Sequence, residues 1–257
     1  MIKVRRLNMD TSWQISWEQT SMILDPWLVG TEVDGFSWFN EQWHATPPLT
    51  ISEPKPYDAI IVSQSYSDHC HPETIKQLDN RPILCTPTVT KKLSKQLPDA
   101  KITKLPDFMD GELLEFNDVN LAYLDPGRKI DPIYYGIVMI SADRAIVYAP
   151  HGFTITDHQL EKLAAYKVDL LITSFSLFKL PFLLGGAVNP GLKKAKELIA
   201  KLDPTKVVHT HDENKHAKGI VKMIANVKYY DAQTLQSKFK GKFVYLDEAY
   251  EEYIVSD

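Results

Sequence analysis

The sequence predicts an α/β fold in which two β-sheets lie between outer layers of helices. Three observations lead to this expectation. Strand-like segments dominate the first part of the chain, strands alternate with helices in the middle, and strand signals return near the C-terminus. Elements in this order bury their apolar faces best as stacked layers around a shared core. No internal repeat or low-complexity tract points to a repetitive architecture.

Length and composition favour a single domain over residues 1–257. The chain has 257 residues, of which 44% are hydrophobic, enough to bury a full core. Its net charge of -4 and pI near 6.1 give no general attraction to nucleic acid or anionic membranes. It has two cysteines and lacks an apolar run suited to a signal peptide or a spanning helix. We therefore expect a soluble, cytoplasmic protein.

Alternation and turn signals predict the N-terminal elements. Residues 13–17 alternate apolar and polar side chains as a half-buried strand does, and residues 20–24 form a second strand closed by Asp25-Pro26. Residues 30–50 carry Phe36, Trp38 and other aromatic residues among polar ones. We interpret this segment as a long loop that borders a site. An apolar strand over residues 57–62 follows, and Pro72 begins a short helix that ends near residue 78.

Strands and helices alternate from residue 82 onward. Strands are predicted at residues 82–85, 102–105, 113–124, 134–140, 144–148, 168–173, 207–211 and 243–246. Helices are predicted at residues 88–97, 157–166, 190–202 and near 214–224, with Pro190 at the start of its helix. The acidic C-terminal end is expected to be solvated. The apolar segment 175–186 has three alternative roles: it lines a pocket, forms a dimer contact or packs in the core.

Histidine and aspartate side chains follow several of the predicted strands. Asp68 and His69 come after the strand that ends at residue 62, His151 follows the strand at 144–148, and His209 and His211 lie at a third strand end. Ligand sites in layered α/β folds form where loops leave the carboxyl ends of strands. Several imidazoles and a carboxylate that meet at such an edge suit zinc or a similar divalent ion.

The order of these motifs resembles that of the metallo-β-lactamase superfamily over nearly the whole chain. The family's metal loop has the pattern His-x-His-x-Asp-His after a buried strand, and here Asp68 and His69 occupy its last two positions. The resemblance continues through Leu24-Asp25-Pro26, Leu124-Asp125-Pro126-Gly127-Arg128, Ile146-Val147-Tyr148-Ala149-Pro150-His151-Gly152 and Val207-Val208-His209-Thr210-His211-Asp212. It implies a four-layer αβ/βα sandwich of the metallo-β-lactamase type.

The resemblance also implies a reduced metal site. The family holds two metals with seven ligands, and the three histidines of its first metal correspond here to Gln64, Tyr66 and Arg128. The matching positions for the second metal are competent ligands: Asp68, His69, His151 and His211. His151 takes the place of a bridging aspartate, which a single metal does not need. The implied cofactor is one divalent ion per chain, with zinc favoured and iron or manganese as alternatives.

Several of these residues also have simpler interpretations. Asp68 and His69 are in the right place to cap the following helix. His71 suits a helix N-terminus, and Cys70 and Cys85 suit small buried hydrophobic residues. His209 suits a packed strand position, with replacement of His211 as a metal ligand as the alternative. In these simpler interpretations Gln64 orients its loop and Tyr66 is a buried phenol with one hydrogen bond. Arg128 forms a salt bridge with Asp125 or Asp131. His44, His158 and His216 are interpreted as surface or loop residues.

The function that the resemblance implies is metal-dependent hydrolysis by metal-activated water at a mononuclear site. Asp68, Tyr66 and Arg128 are the candidate catalytic residues, with Tyr66 as general acid or oxyanion donor and Arg128 as a grip for a phosphate or carboxylate. Gln64, His71 and His209 are candidates for supporting ligands or contacting substrate. The expected partner is a small molecule, which would be anionic if Arg128 binds it. Assembly into a homo-oligomer is left as an alternative to a monomer.

Other functions fit the sequence less well. The main alternative is a non-catalytic member of the fold that binds a small molecule or protein partner. A two-metal RNA nuclease is disfavoured because the chain lacks a basic stripe with interleaved aromatic residues. Serine hydrolases and P-loop nucleotide-binding proteins are disfavoured because neither Gly-x-Ser-x-Gly nor Gly-x-x-x-x-Gly-Lys-Ser/Thr occurs.

Overall fold

Two seven-stranded sheets form the centre of the protein. The computed structural model describes residues 1–54, 56–78, 80–126, 134–184 and 186–256, with Leu183 described by its backbone alone. The first sheet has the order β20 (Tyr253–Ser256), β1 (Ile2–Arg6), β2 (Trp13–Trp17), β3 (Thr20–Leu24), β6 (Ala59–Val62), β7 (Ile83–Cys85), β8 (Ile102–Lys104). The second has the order β19 (Phe243–Val244), β16 (Lys206–His209), β13 (Lys167–Thr173), β12 (Arg144–Ala149), β11 (Gly136–Ser141), β10 (Val119–Leu124), β9 (Leu114–Phe116).

Two small sheets, six α-helices and two short 3₁₀-helices (Phe108–Asp110 and Phe182–Leu184) complete the regular elements of the described residues. The small sheets have the orders β15 (Ala187–Pro190), β14 (Leu177–Lys179), β18 (Asn226–Lys228), and β17 (His216–Lys218), β5 (Glu41–Trp43), β4 (Glu32–Val33). The helices are α1 (Pro72–Gln77), α2 (Pro87–Gln96), α3 (Asp157–Leu163), α4 (Leu192–Leu202), α5 (Ile220–Ile224) and α6 (Ala232–Lys238). Among the described residues, none of the helices is long and apolar enough to cross a membrane.

The strands alternate between two packing environments, and this alternation creates four layers. In β6, Ile61 faces the core between the two sheets, whereas Ile60 and Val62 face α1 and α2. In β12, Tyr148 faces the same central core and Val147 faces the helices of the opposite layer. Each fully buried aliphatic side chain of this kind contributes about 1.5–3 kcal/mol. The predicted αβ/βα sandwich of the metallo-β-lactamase type is confirmed.

Parallel pairing brings several strand ends to one edge of the sandwich. Strand β6 lies parallel to β3 and β7 in the first sheet, and β12, β13 and β16 are parallel in the second. The chain therefore leaves these strands at their carboxyl ends, where loops of both sheets meet. Asp68, His151 and His211 follow β6, β12 and β16 respectively.

Several predicted elements were wrong in detail. Pro190 ends β15 instead of starting a helix, and α4 begins after Gly191 because that residue has a φ of +82°. Residues 214–224 form β17 and the short helix α5, and residues 113–124 form the hairpin β9–β10. The C-terminal end is not merely solvated, because β20 pairs with β1 and buries Val255. The prediction of one domain over residues 1–257 stays a prediction.

Candidate metal centre

Four side chains from three strand ends meet at the edge of the sandwich. Asp68 and His69 lie in the loop after β6, His151 lies two residues after β12, and His211 lies two residues after β16. The backbone of both His151 (φ 52) and His211 (φ 55) is in the left-handed region. Non-glycine residues seldom adopt this conformation, and strained residues of this kind cluster at functional sites.

Gly152 allows the sharp turn that follows His151. Its φ is +61°, and a Cβ at this position would lie 2.1 Å from Cγ of Pro190. A larger residue would therefore push β15 away from the loop. Because β15 also carries Asn189, this close approach fixes His151 relative to a residue that contacts its ring.

The four side chains present their ligand atoms to one common point. One atom from each of Asp68, His69, His151 and His211 can be chosen so that all lie within 4.8 Å of one another. The Nε2 atoms of His69 and His151 are 2.7 Å apart, and Oδ2 of Asp68 lies 3.2 Å from Nε2 of His211. Tetrahedral zinc with Zn–N bonds of about 2.0–2.1 Å separates its donors by about 3.4 Å. Movements of about 1 Å therefore bring this set onto one ion.

The outward nitrogen of each histidine ring has its own acceptor. Nδ1 of His69 lies 2.6 Å from Oδ2 of Asp25, Nδ1 of His151 lies 2.9 Å from Oδ1 of Asn189, and Nδ1 of His211 lies 3.0 Å from Oδ1 of Asp10. The amide of Asn189 must have this orientation, because its Nδ2 donates to the backbone carbonyl of His211 at 3.3 Å. Metal-binding histidines are typically held in this way.

These outward bonds make the centre suitable for a cation. Each Nδ1 donates its proton outward, so in the neutral ring the lone pair of Nε2 points to the common point. Two such lone pairs at 2.7 Å repel unless a proton or a cation lies between them. The donor set of three imidazoles and a carboxylate suits a borderline divalent ion such as zinc. The residues present therefore fit the metal that the sequence implied.

Charges around the centre favour the neutral form of His151, the anionic form of Asp68 and the protonated form of His69. Burial, together with the nearby His211 and His69, holds the pKa of His151 well below its usual value. Burial raises the pKa of Asp68, but His69 and His211 more than offset this, so the pKa is lowered. For His69 burial lowers the pKa, while Asp68 and Asp25 prevail and raise it. A proton and a cation therefore compete for Nε2 of His69.

Two buried networks hold the supporting carboxylates. Asp25 also accepts hydrogen bonds from the backbone N–H and hydroxyl of Ser63 (2.7 and 2.6 Å) and from the Tyr148 hydroxyl (2.8 Å). Asp10 accepts a hydrogen bond from the Lys215 ammonium at 2.8 Å, and Lys215 also lies 3.2 Å from Glu32. Both Asp10 and Asp25 are fully buried. The rings of His69 and His211 are thus linked through these carboxylates to fixed partners in the core.

A cavity of about 240 Å³ opens onto the centre. Asp68, His151 and His211 form part of its wall. The Tyr134 ring lies over His151, with centroids 4.9 Å apart, and stacks on Tyr66 at 6.2 Å. Apolar side chains form much of the remaining wall: Phe39, Phe178, Leu180, Leu184, Val188 and Val221. The cavity therefore offers a small molecule both apolar contacts and access to the ligand cluster.

Comparison with known proteins places the chain in a family. A family model described as a beta-lactamase superfamily domain matches residues 9–211, a range that begins just before Asp10 and ends at His211. The chain belongs to the beta-lactamase superfamily. No curated protein matches its sequence.

Solved structures of several hydrolases share the fold at low sequence identity. A possible metal-dependent hydrolase from Veillonella parvula DSM 2008 has a TM-score of 0.71 at 13% identity, with 98% of this chain and 99% of that chain covered. The isothiocyanate hydrolase from Delia radicum gut bacteria has a TM-score of 0.68 at 16% identity, with 98% of each chain covered. A metallo hydrolase from the archaeon Ignicoccus hospitalis has a TM-score of 0.66 at 11% identity, with 98% and 97% covered.

The three residues that correspond to the superfamily's first metal site, Gln64, Tyr66 and Arg128, do not share one environment. Tyr66 lines the cavity. Gln64 is fully buried, and within the described part of the chain neither of its amide atoms has a hydrogen-bond partner. Arg128 lies outside the described residues, so its predicted role stays a prediction.

His71 and His209 lie away from the ligand cluster. The His71 ring accepts a hydrogen bond from the Thr74 backbone N–H at the start of α1, as its helix-end interpretation implies. The His209 ring stacks on Tyr245 with centroids 5.1 Å apart, and burial holds its pKa well below the usual value. His44 lies in a loop, as one of the two interpretations expected, but it is not on the surface, because its Nδ1 lies 2.8 Å from Glu213 and its side chain is 6% exposed.

Sequence reasoning did not identify the residues that hold the ligands in place. Asp25 was interpreted as a turn signal, and Asp10, Asn189 and Lys215 were not singled out. Asp25 follows β3 directly, so the same strand-end signal that pointed to His151 was available for it. No local pattern marks the other three, because Asp10 meets His211 across 201 positions of sequence.

Proposed function

We propose that the protein is a metal-dependent hydrolase with a mononuclear centre formed by Asp68, His69, His151 and His211. One observation carries this proposal. The ligand atoms of these four side chains lie within 4.8 Å of one another, while the outward nitrogen of every ring has a buried acceptor. A set of imidazoles that served only for packing would not need three separately anchored rings directed at one point.

The proposed stoichiometry is one divalent ion per chain. The four donors suffice for one ion, and the cavity gives it an open side for substrate or water. Gln64 and Tyr66 occupy positions where the superfamily pattern has histidines of another metal site, and both are poor ligands for zinc. The nitrogen-rich donor set favours zinc, with iron or manganese as alternatives. We retain a cytoplasmic location as a sequence-based prediction.

The chain's own residues would bind and orient the substrate. When bound, a divalent ion supplies activated water and polarises the scissile group. The apolar wall of the cavity excludes bulk water, which strengthens electrostatic interactions at the centre. Tyr66 lines the same cavity, and its hydroxyl is our candidate for donating a proton or a hydrogen bond to the reacting group.

Metal content tests the proposed centre. We expect about one equivalent of metal per chain in protein purified without chelator, measured by elemental analysis, and a large loss in Asp68→Ala and His151→Ala. His158→Ala is the matched control, because His158 lies on the surface with its side chain 83% exposed. Two equivalents per chain, or the same content in all variants, would contradict the mononuclear assignment.

Turnover separates the enzyme from a non-catalytic binding protein. The metal-loaded protein should be assayed with esters, thioesters, lactones, phosphodiesters and an isothiocyanate, the last because one solved structure with this fold is named an isothiocyanate hydrolase. We expect hydrolysis of at least one class, lost in Asp68→Ala and retained in His158→Ala. A protein that binds one metal and hydrolyses none of these classes would favour the non-catalytic alternative.

A further inference from the structure

The charged groups that line the cavity are mostly acidic. Among the described lining residues, four carry carboxylates and one carries an ammonium group: Glu32, Asp34, Asp68, Glu213 and Lys215. Asp68 belongs to the proposed metal centre. The partners of the other carboxylates decide which of them is available to a ligand.

Glu213 and Glu32 already have strong partners. Oε1 of Glu213 accepts the backbone N–H groups of Ala45 and Thr46 at 2.8 and 2.9 Å, and Oε2 lies 2.8 Å from the His44 ring. Glu32 lies 3.2 Å from the Lys215 ammonium, which is itself buried and also bonded to Asp10. Glu32, Lys215 and Asp10 thus form a closed ionic network, so neither Glu32 nor Lys215 offers a free charge to the cavity.

Asp34 differs from these carboxylates. It is half-buried just after β4, and its Oδ2 accepts a hydrogen bond from Nδ2 of Asn40 at 3.1 Å. Within the part of the chain that the structure describes, no cationic side chain lies within ion-pairing distance of it. Burial and the charge of Asp68, which faces the same cavity, raise the pKa of Asp34. They outweigh the hydrogen bond from Asn40 and the more distant charges of Lys215 and Lys92, which lower it. A partly buried carboxylate in this setting gains most from a cationic partner.

Apolar side chains line the same cavity as this carboxylate. Phe39 belongs to the same loop, which is closed by a hydrogen bond of 3.2 Å from the Asp34 backbone N–H to the Asn40 carbonyl. Phe178, Leu180 and Val221 belong to other segments of the wall. A ligand that fills the cavity therefore meets the metal centre, an apolar wall and one carboxylate that has no cationic partner among the described residues.

We propose that the substrates of this site carry a positively charged nitrogen on an apolar body, and that Asp34 is the residue that selects them. The inference rests on the proposed function only in taking this cavity as the substrate site. Asp34 binds the ammonium group, the apolar wall packs on the body, and the reacting group lies toward Asp68, His151 and His211.

Ligand binding to the metal-loaded protein tests this inference independently of turnover. The probes are 3-phenylpropylammonium and the matched neutral 3-phenylpropanol, and isothermal titration calorimetry gives their dissociation constants. We expect the ammonium to bind wild type at least about tenfold more tightly than the alcohol, as a charge-assisted hydrogen bond implies. Asp34→Asn should remove that preference and change the affinity for the alcohol by less than about twofold.

A matched variant separates the local effect from a change in net charge. Asp143→Asn alters the net charge equally but lies in an exposed turn at the end of β12 opposite to His151, so it should keep the preference for the ammonium. In wild type, added salt should reduce the preference, which gives a measurement that needs no variant. Equal metal content in wild type and Asp34→Asn shows that the centre is intact.

Several results would overturn the inference. These are an unchanged ammonium-to-alcohol ratio in Asp34→Asn, no preference in wild type, or tighter binding of 3-phenylpropanoate than of the ammonium. Wild-type protein that binds none of these probes also overturns it. In each case metal content and hydrolysis still decide the proposed function separately, because neither depends on the charge of the probe.

Discussion

Replacement of Asn189 by leucine tests whether His151 is held as a metal ligand. Asn189 is 3% exposed, and its Oδ1 accepts the Nδ1 proton of His151 at 2.9 Å. Leucine has nearly the same size and shape but neither accepts nor donates a hydrogen bond. Asn189→Leu therefore removes the anchor of the ring while the backbone of β15 keeps its place.

The expected loss in metal affinity follows from the role of such anchors. Removing a partner that orients a metal-binding histidine weakens metal binding by about 10- to 100-fold, which corresponds to about 1.4–2.8 kcal/mol. The variant also leaves the buried Nδ1 of His151 and the Ser176 hydroxyl without the amide, at about 1–3 kcal/mol for each unsatisfied group. Added apolar contacts of the leucine offset part of this second cost.

A competitive titration measures the effect. Metal-free wild type, Asn189→Leu and the control Asn226→Leu are titrated with Zn²⁺ in the presence of a chromophoric chelator, and their unfolding is followed separately. Asn226 lies on the exposed strand β18, so its variant should retain wild-type affinity. An affinity of Asn189→Leu within about twofold of wild type would refute the assignment of His151 as an anchored ligand.

Three further predictions concern the buried groups around the centre. Asp25→Ala leaves the backbone N–H and hydroxyl of Ser63, the Tyr148 hydroxyl and the His69 ring without their acceptor. The free energy of unfolding in urea should therefore fall by several kcal/mol, because each unsatisfied group costs about 1–3 kcal/mol. A fall below about 1 kcal/mol would contradict this network. Gln64→Met should raise the free energy of unfolding by about 1–3 kcal/mol, because it removes a buried amide without partners among the described residues. The control Gln96→Met, at an exposed position, should leave it unchanged. A decrease in Gln64→Met would show that the amide has a partner. Burial raises the pKa of Cys70 to about 12 and that of Cys85 to about 11, so at pH 8 both thiols should react slowly with a disulfide reagent in the native protein and quickly after denaturation. Rapid reaction of either thiol in the native state would show that the α1–α2 layer opens readily.

The larger part of the fold could be predicted because strands and helices leave periodic signals. The alternation of residues 13–17 predicted β2, and the apolar run before Gln64 predicted β6. The predictions were wrong where a tertiary contact overrode a local sequence preference. Proline is a common first residue of a helix, but here Pro190 pairs with Leu177 of β14 and ends β15, and Gly191 turns the chain before α4 begins. The C-terminal strand β20 was missed because its pairing with β1 joins the two ends of the chain.

The sequence by itself determined the fold class and brought forward the four candidate ligands. Asp68, His69, His151 and His211 all follow strands, and strand ends are visible in local sequence. His209 also lies at a strand end, and the resemblance to the superfamily singled out the four. Tertiary structure decided what holds these side chains and what faces the substrate. Asp10, Asn189 and Asp34 reach the centre or its cavity from segments far apart in the chain. Hydrogen bonds across such distances depend on how the layers pack, and no local periodicity encodes that packing.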